Sequence, residues 1–269
     1  MTTAPTLDES LPSLKVLNPL DSNCNVKRDD AICVSQLRNG AAAEKLDREI
    51  LTANPDVKIV LPLSFHVFGD EELFFSNTFK QFFNTRAGDH MAGQLDNISF
   101  ASPPSPLVSQ FRELDPGILC NGDQRLTNCS GICKCTHLIQ IPLNSTVELI
   151  VLDRDNTAGI NHPLHLHGMS FYVLGNGKLP QGHNMTIKEI VEMDRKTRKS
   201  GFPPGKDTIT IPTGGYVILR FRATNPGFWF FHCHFLFHIL TGMSAVFQVG
   251  SLSDFPPVPH NFPRCGNFL

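Results

Sequence analysis

No stretch of the 269 residues is apolar for long enough to span a bilayer, no segment repeats, and no low-complexity tract interrupts the chain. Neither sign of charge dominates. The 23 Lys and Arg against 25 Asp and Glu leave a net charge of -2, which gives no electrostatic reason to expect a nucleic-acid partner. The opening residues, Met1, Thr2, Thr3, Ala4, Pro5 and Thr6, lack both the basic region and the apolar run of a signal peptide. What remains is an ordinary globular composition, 41% apolar and 18% charged, able to bury a core. The length suits one or two domains.

Against those absences stand four Asn-x-Ser/Thr triplets, at Asn97, Asn128, Asn144 and Asn184, together with eight cysteines. Glycosylation sequons and cysteines in this number fit a secreted, extracellular glycoprotein with disulfides. The expectation is therefore the C-terminal part of a secreted protein whose N-terminal part is not in this chain.

The densest chemistry lies in residues 229–243, WFFHCHFLFHILTGM. Its aromatic residues favour a strand, on which successive side chains alternate faces. His232 and His234 then point one way and Cys233 the other. His238 follows the cysteine by five residues and Met243 by ten, a spacing that lets a strand-end loop bring both back to the sulfur. One cysteine, two histidines and a weak axial methionine make the ligand set of a mononuclear blue copper site. The second histidine has a supplier in residues 162–168, HPLHLHG, where His165 and His167 face together and His162, before a proline, belongs to a loop. Six of the eleven histidines fall within residues 162–167 and 232–238.

These two segments resemble the copper-binding segments of the last cupredoxin domain of multicopper oxidases, especially the laccase-like enzymes of arthropods. The resemblance is strong over residues 95–269, with support at residues 97–100, 103–106, 133–137, 212–216 and 225–229, and looser over 1–94. It implies an all-β, cupredoxin-like Greek-key β-sandwich with an irregular N-terminal extension. Residues 1–56 would be the tail of a preceding domain and a linker, and residues 57–269 the C-terminal cupredoxin domain.

By the same resemblance, His162, Cys233 and His238 hold a blue type-1 copper with Met243 as its long axial ligand. His165 matches a ligand of the type-2 copper, and His167, His232 and His234 match ligands of the coupled type-3 pair. Cys233, His232 and His234 are the expected catalytic residues, since an electron arriving at the sulfur crosses only backbone to reach the trinuclear cluster. Phenolic or diphenolic substrates would lose single electrons at the blue copper, and dioxygen would be reduced to water at the cluster. A methionine in the axial position implies a lower potential than an aliphatic or aromatic residue there.

One departure from the family is plain. The cluster takes two further His-x-His pairs from an N-terminal domain, and apart from His165/His167 and His232/His234 this chain has none. The missing N-terminal cupredoxin domains are therefore expected partners, and the chain alone is expected to hold the blue copper without completing oxygen reduction. The alternatives are a ferroxidase or ascorbate oxidase of the same superfamily, or a copper electron-transfer module without catalysis. The last leaves His165, His167, His232 and His234 unexplained. Histidines that merely pack in a core would need hydrogen-bond partners for each imidazole.

With Cys233 assigned to copper, Cys24, Cys33, Cys120, Cys129, Cys133, Cys135 and Cys265 remain, an odd number that leaves one thiol free or paired outside the chain. A zinc site at Cys129, Cys133, Cys135 and His137 lacks a matching second half, so disulfides are expected instead. Strands are expected at residues 58–68, 95–100, 170–174, 186–193, 208–211, 216–223, 228–235 and 244–249, with residues 137–153 forming two strands around a turn at 142–145. Helix is expected at residues 41–51. Phe74, Phe75, Phe79, Phe82 and Phe83 read as one apolar face of a second short helix, packed in the core or lining a rim for an aromatic substrate. His66 reads as a structural residue, and His90, His183 and His260 as isolated, exposed ones.

Overall fold

Strand β1, Val57–Phe68, opens the sandwich as a run rich in β-branched, aromatic and leucine side chains, interrupted by Lys58, Pro62, Ser64 and His66. The computed structural model describes residues 15–17, 29–32, 36–38, 48–73, 81–121, 132–153, 159–180, 185–197 and 201–265. After β1 come β2 (His90–Leu95), β3 (Ile98–Phe100), β4 (Cys133–Ile141), β5 (Thr146–Asp153), β6 (His162–Leu166) and β7 (Phe171–Lys178). Helix α1 (Ile187–Thr197) separates these from β8 (Thr208–Ile211), β9 (Gly215–Arg222) and β10 (Gly227–Cys233), and helix α2 (Leu236–Leu240) precedes the last strand, β11 (Ser244–Val249).

One continuous ladder runs β7-β9-β5-β1-β2-β3-β4-β11-β10-β6-β8. It folds into two facing layers because β4 serves both. The residues Cys133, Lys134 and Cys135 pair with β3, whereas Leu138, Ile139, Gln140 and Ile141 pair with β11. Neighbours in the ladder are often distant in sequence, and β1–β5, β3–β4 and β4–β11 are parallel, pairings that need crossover connections and not hairpins. The core lies between the layers. Leu61 and Leu63 of β1, Leu149 of β5 and Leu219 of β9 face Leu164 of β6, Phe231 of β10 and Phe247 of β11, and all are buried. Each such side chain contributes roughly 1.5–3 kcal/mol through the apolar surface it removes from water.

The outer faces of β5 and β9 are buried too, beneath α1, whose Ile190 packs with Ile150, Leu152, Tyr216 and Ile218. This helix occupies the span that the alternating pattern of residues 186–193 marks as a strand. Thr186 caps it. The Glu189 amide donates to Thr186 Oγ1 at 3.3 Å and the Thr186 amide to Glu189 Oε2 at 2.7 Å, a reciprocal capping box. Other boundaries shift as well. Residues 95–100 are the junction of β2 and β3, turned at Asp96 and Asn97, whose φ values of 53° and 59° suit a tight hairpin. Phe83 lies in a two-residue strand against Met91 and not on a helix. Phe74, Phe75 and Phe79 fall outside the described residues. At the N-terminal side, residues 48–51 form a single turn of 3-10 helix, the remainder of the helix expected at 41–51 lying outside the description.

That turn is fastened to the sandwich by a buried charge. Arg220 of β9 stands opposite Glu148 of β5, the two side chains form an ion pair, and Arg220 Nη1 also donates to the carbonyls of Ile50 at 3.0 Å and Thr52 at 2.8 Å. Elsewhere Cys120 and Cys135 form a disulfide and Cys133 is disulfide-bonded as well, in keeping with disulfides over a zinc site. Among the described residues Cys233 and Cys265 are free.

Candidate metal centre

The site is built by the register of two strands. In the β6–β10 ladder Leu164 pairs with Cys233, His165 with His232 and Leu166 with Phe231. Alternation then places His162, Leu164 and Cys233 on the core face and His165, His167, His232 and His234 on the other. His162 is the first residue of β6, not part of a loop, and the strand fixes its direction. His238 arrives on α2, a single helical turn that replaces the expected strand-end loop. Gly242, at φ 117°, ends that turn within 2.7 Å of the Phe100 amide, measured from where a Cβ would sit; no other residue fits there.

On the core face Cys233 Sγ lies 3.8 Å from His162 Nδ1 and 3.6 Å from His238 Nδ1. The donor atoms of these three buried residues all fall within 4.8 Å of one another. Met243 is fully buried beside them. Its carbonyl accepts from the Cys233 amide at 3.1 Å and its amide donates to the His238 carbonyl at 2.9 Å. Phe65 meets His238 edge-on with ring centres 4.9 Å apart, and Phe83 and Phe235 lie at 5.4 and 5.2 Å. Phe65 has no signal in the sequence beyond its place in an apolar strand.

On the opposite face the four remaining histidines converge. His167 Nε2 and His232 Nε2 are 3.2 Å apart, and ring centres are 5.6 Å apart for His165 and His232, 6.1 Å for His165 and His234 and 5.6 Å for His232 and His234. The His234 amide donates to the Pro163 carbonyl at 2.7 Å, carrying the strand pairing past the last ligand. Trp229 is the floor of this face, packed so closely over Gly168 that a Cβ there would fall 2.0 Å from its ring. A cavity of about 430 Å³ opens onto His165, His167, Asp207 and Trp229.

Burial sets the protonation of both faces. It pulls the His238 imidazole down to about 4 and pushes the Cys233 thiol up to about 11, the latter against a hydrogen bond from the Phe235 amide. His167 and His232 are lowered first by burial and then by neighbouring imidazoles, in His232 against a hydrogen bond to the Cys233 carbonyl. His238 on one face and His167 and His232 on the other are therefore biased toward the neutral imidazole, which keeps a nitrogen lone pair. On the core face the acidic group among the three donors is a thiol that burial keeps protonated unless a cation lies beside it. A soft sulfur with two imidazole nitrogens in a dry pocket fits a cuprous or cupric ion.

The multicopper oxidase family model matches residues 103–253, a span that holds both histidine clusters. The chain belongs to the multicopper oxidase family. It is 31% identical to Laccase-11 of Arabidopsis thaliana over 199 residues, which are 66% of this chain and 33% of that protein. To Laccase-7 of Oryza sativa subsp. japonica it is 34% identical over 189 residues, 66% of this chain and 32% of that one. Both of these relatives are plant proteins. The chain spans about a third of the length of the curated relatives it matches. Among solved structures, a laccase from Botrytis aclada aligns with a TM-score of 0.50 at 18% identity, over 76% of this chain and 30% of that one. The multicopper oxidase fold is thus an all-β, cupredoxin-like sandwich in this chain too.

Copper is the cofactor that membership of this family implies. Among the described residues no helix is long and apolar enough to cross a membrane.

Proposed function

We propose that this chain is the C-terminal copper-binding part of a secreted, laccase-like oxidase that takes single electrons from phenolic or diphenolic substrates. Residues 1–56 would be the tail of the preceding domain and its linker, and residues 57–269 the last cupredoxin domain. The observation that carries the reading is the partition around Cys233: its sulfur faces His162 and His238, while its neighbours His232 and His234 face His165 and His167. Copper held on the two faces would supply one-electron exchange with substrate at one and multi-electron delivery to dioxygen at the other.

The chain's own groups have defined tasks in this scheme. His162, Cys233, His238 and Met243 would hold the first ion, and the aromatic wall of Phe65, Phe83 and Phe235 keeps water from His238. His165, His167, His232 and His234 would form half of a trinuclear site whose other four histidines belong to domains outside this chain. His232 Nδ1, 3.0 Å from the carbonyl of Cys233, must donate to it, since a carbonyl only accepts. That leaves the lone pair on its Nε2, the atom that lies 3.2 Å from His167 Nε2 on the other face.

The reading is tested by loading the full 269-residue chain with copper and recording its visible spectrum. The expected result is an intense thiolate-to-copper band with no sustained phenol oxidation. Absence of the band, or steady turnover of a methoxyphenol by the isolated chain, would overturn the proposal in its first or second half respectively.

A further inference from the structure

His165 differs from the other histidines of its face in what holds the back of its ring. Its Nδ1 lies 3.0 Å from the carbonyl oxygen of Asp207 and 2.9 Å from Thr208 Oγ1, and Thr208 is its register partner across β6 and β8. The Thr208 hydroxyl in turn donates to Asp207 Oδ1 at 3.0 Å. A hydroxyl has one proton, so once that proton is directed to the carboxylate the oxygen can only accept along the line to His165. The Asp207 carbonyl can only accept as well, and it already receives the Leu166 amide at 3.0 Å. Both neighbours of Nδ1 are therefore acceptors.

We infer that Asp207 and Thr208 form a positioning relay that fixes the His165 proton on Nδ1 and leaves the Nε2 lone pair directed to the histidine face. Neither residue touches the reacting centre. The carboxylate acts on the hydroxyl, the hydroxyl acts on the ring, and the ring is held in one tautomer and one orientation before any ion arrives. Outer groups that fix a ligand's tautomer in this way raise its affinity for metal and limit its rotation. This rests on the reading above in one respect only, that the Nε2 lone pair of His165 serves as a metal donor. Asp207 also lines the cavity that opens onto His165 and His167, so the relay has its charged end at the mouth of that space. The sequence offers no local signal for it, because Asp207 and Thr208 lie more than forty residues from His165.

The test uses the full chain, copper-free and labelled with nitrogen-15, in mildly alkaline buffer. Long-range proton–nitrogen spectra report the tautomer of each ring, and comparison with His165→Asn assigns the signal. The wild-type chain is expected to show His165 protonated on Nδ1. Thr208→Val, which keeps the shape and removes the acceptor, lowers the ratio of Nδ1–H to Nε2–H about fivefold, the value of one neutral hydrogen bond. Asp207→Ala moves the ratio in the same direction by releasing the hydroxyl proton, and Thr208→Ser restores it.

A wild-type His165 protonated on Nε2 would overturn the relay, as would a ratio unmoved by both Thr208→Val and Asp207→Ala in folded chains. If both variants fail to fold, the wild-type tautomer decides alone. The thiolate-to-copper band depends on His162, Cys233 and His238, on the other face. Loss of the band with the Nδ1–H tautomer present indicts the functional reading, and the converse result indicts the relay.

Discussion

Leu164 is the register partner of Cys233 in the ladder between β6 and β10, and this one pairing decides which histidine reaches which side of the sheet. Side chains alternate with a period of two, so the pairing commits His162 to the sulfur and His165 to the opposite face. Two sites separated by one peptide unit are thereby kept chemically distinct.

Substitutions on the two faces should separate cleanly. Cys233→Ser is expected to abolish the thiolate-to-copper band of the copper-loaded chain. His232→Ala should leave the band in place while removing a donor from the other face. Visible absorption and circular dichroism on the same samples check this, and loss of the band in both variants would show that the faces are not independent.

Met243 is fully buried, with its backbone bonded to both Cys233 and His238. Met243→Leu nearly conserves volume, so its effect on folding should stay below about 1.5 kcal/mol. The reduction potential of the copper-loaded chain should rise, because the weak sulfur donor to cupric copper is gone. Spectroelectrochemical titration of the two proteins reads the difference. An unchanged or lower potential would remove Met243 from the axial role.

Copper-free, the site should confine stability to a pH window. His238 is held neutral by burial, its pKa drawn from an ordinary 6.5 to about 4, so the unfolded chain binds more protons than the folded one between those values. Stability is then complete above about pH 6.5 and declines as pH falls toward 4. Cys233 acts at the other end. Its pKa is raised from 9.0 to about 11, the folded chain binds more protons between them, and stability declines as pH rises through that range. Urea midpoints across pH should show a plateau between the two slopes, and His238→Gln should flatten the acid limb.

The ion pair of Glu148 and Arg220 is 3% exposed on each side and also holds the 48–52 turn through two carbonyls. Glu148→Ala leaves a buried guanidinium without its counter-charge and should cost about 3–5 kcal/mol in urea unfolding. Arg220→Met removes the charge but also releases the carbonyls of Ile50 and Thr52. Limited proteolysis should then cut near residues 48–56 in that variant and spare the wild type.

The two-sided placement of Cys233 against His232 and His234 was legible in the sequence because a His-Cys-His triplet on a strand has only one way to distribute its side chains. The sandwich was legible for a related reason, as runs such as KIVLPLSFHVF suit no other element. Residues 186–193 misled because Ile187, Ile190 and Val191 satisfy a helical period as well as a loose alternation. The capping pair Thr186 and Glu189, three apart, was the signal that separates the two. Phe65, Asp207 and Thr208 could not be found in advance. Their roles arise from pairing between strands distant in the chain, which neither composition nor spacing records.

Strand β10 and its immediate continuation carry donors for both faces within three consecutive residues, His232, Cys233 and His234. On the proposed function, any recombination or gene fusion that exchanges this segment would transfer electron intake and oxygen handling as one inheritable unit. A lineage could adjust the pocket around His238 independently, but it could not acquire the donors of one face from one ancestor and those of the other face from another without breaking the peptide that joins them.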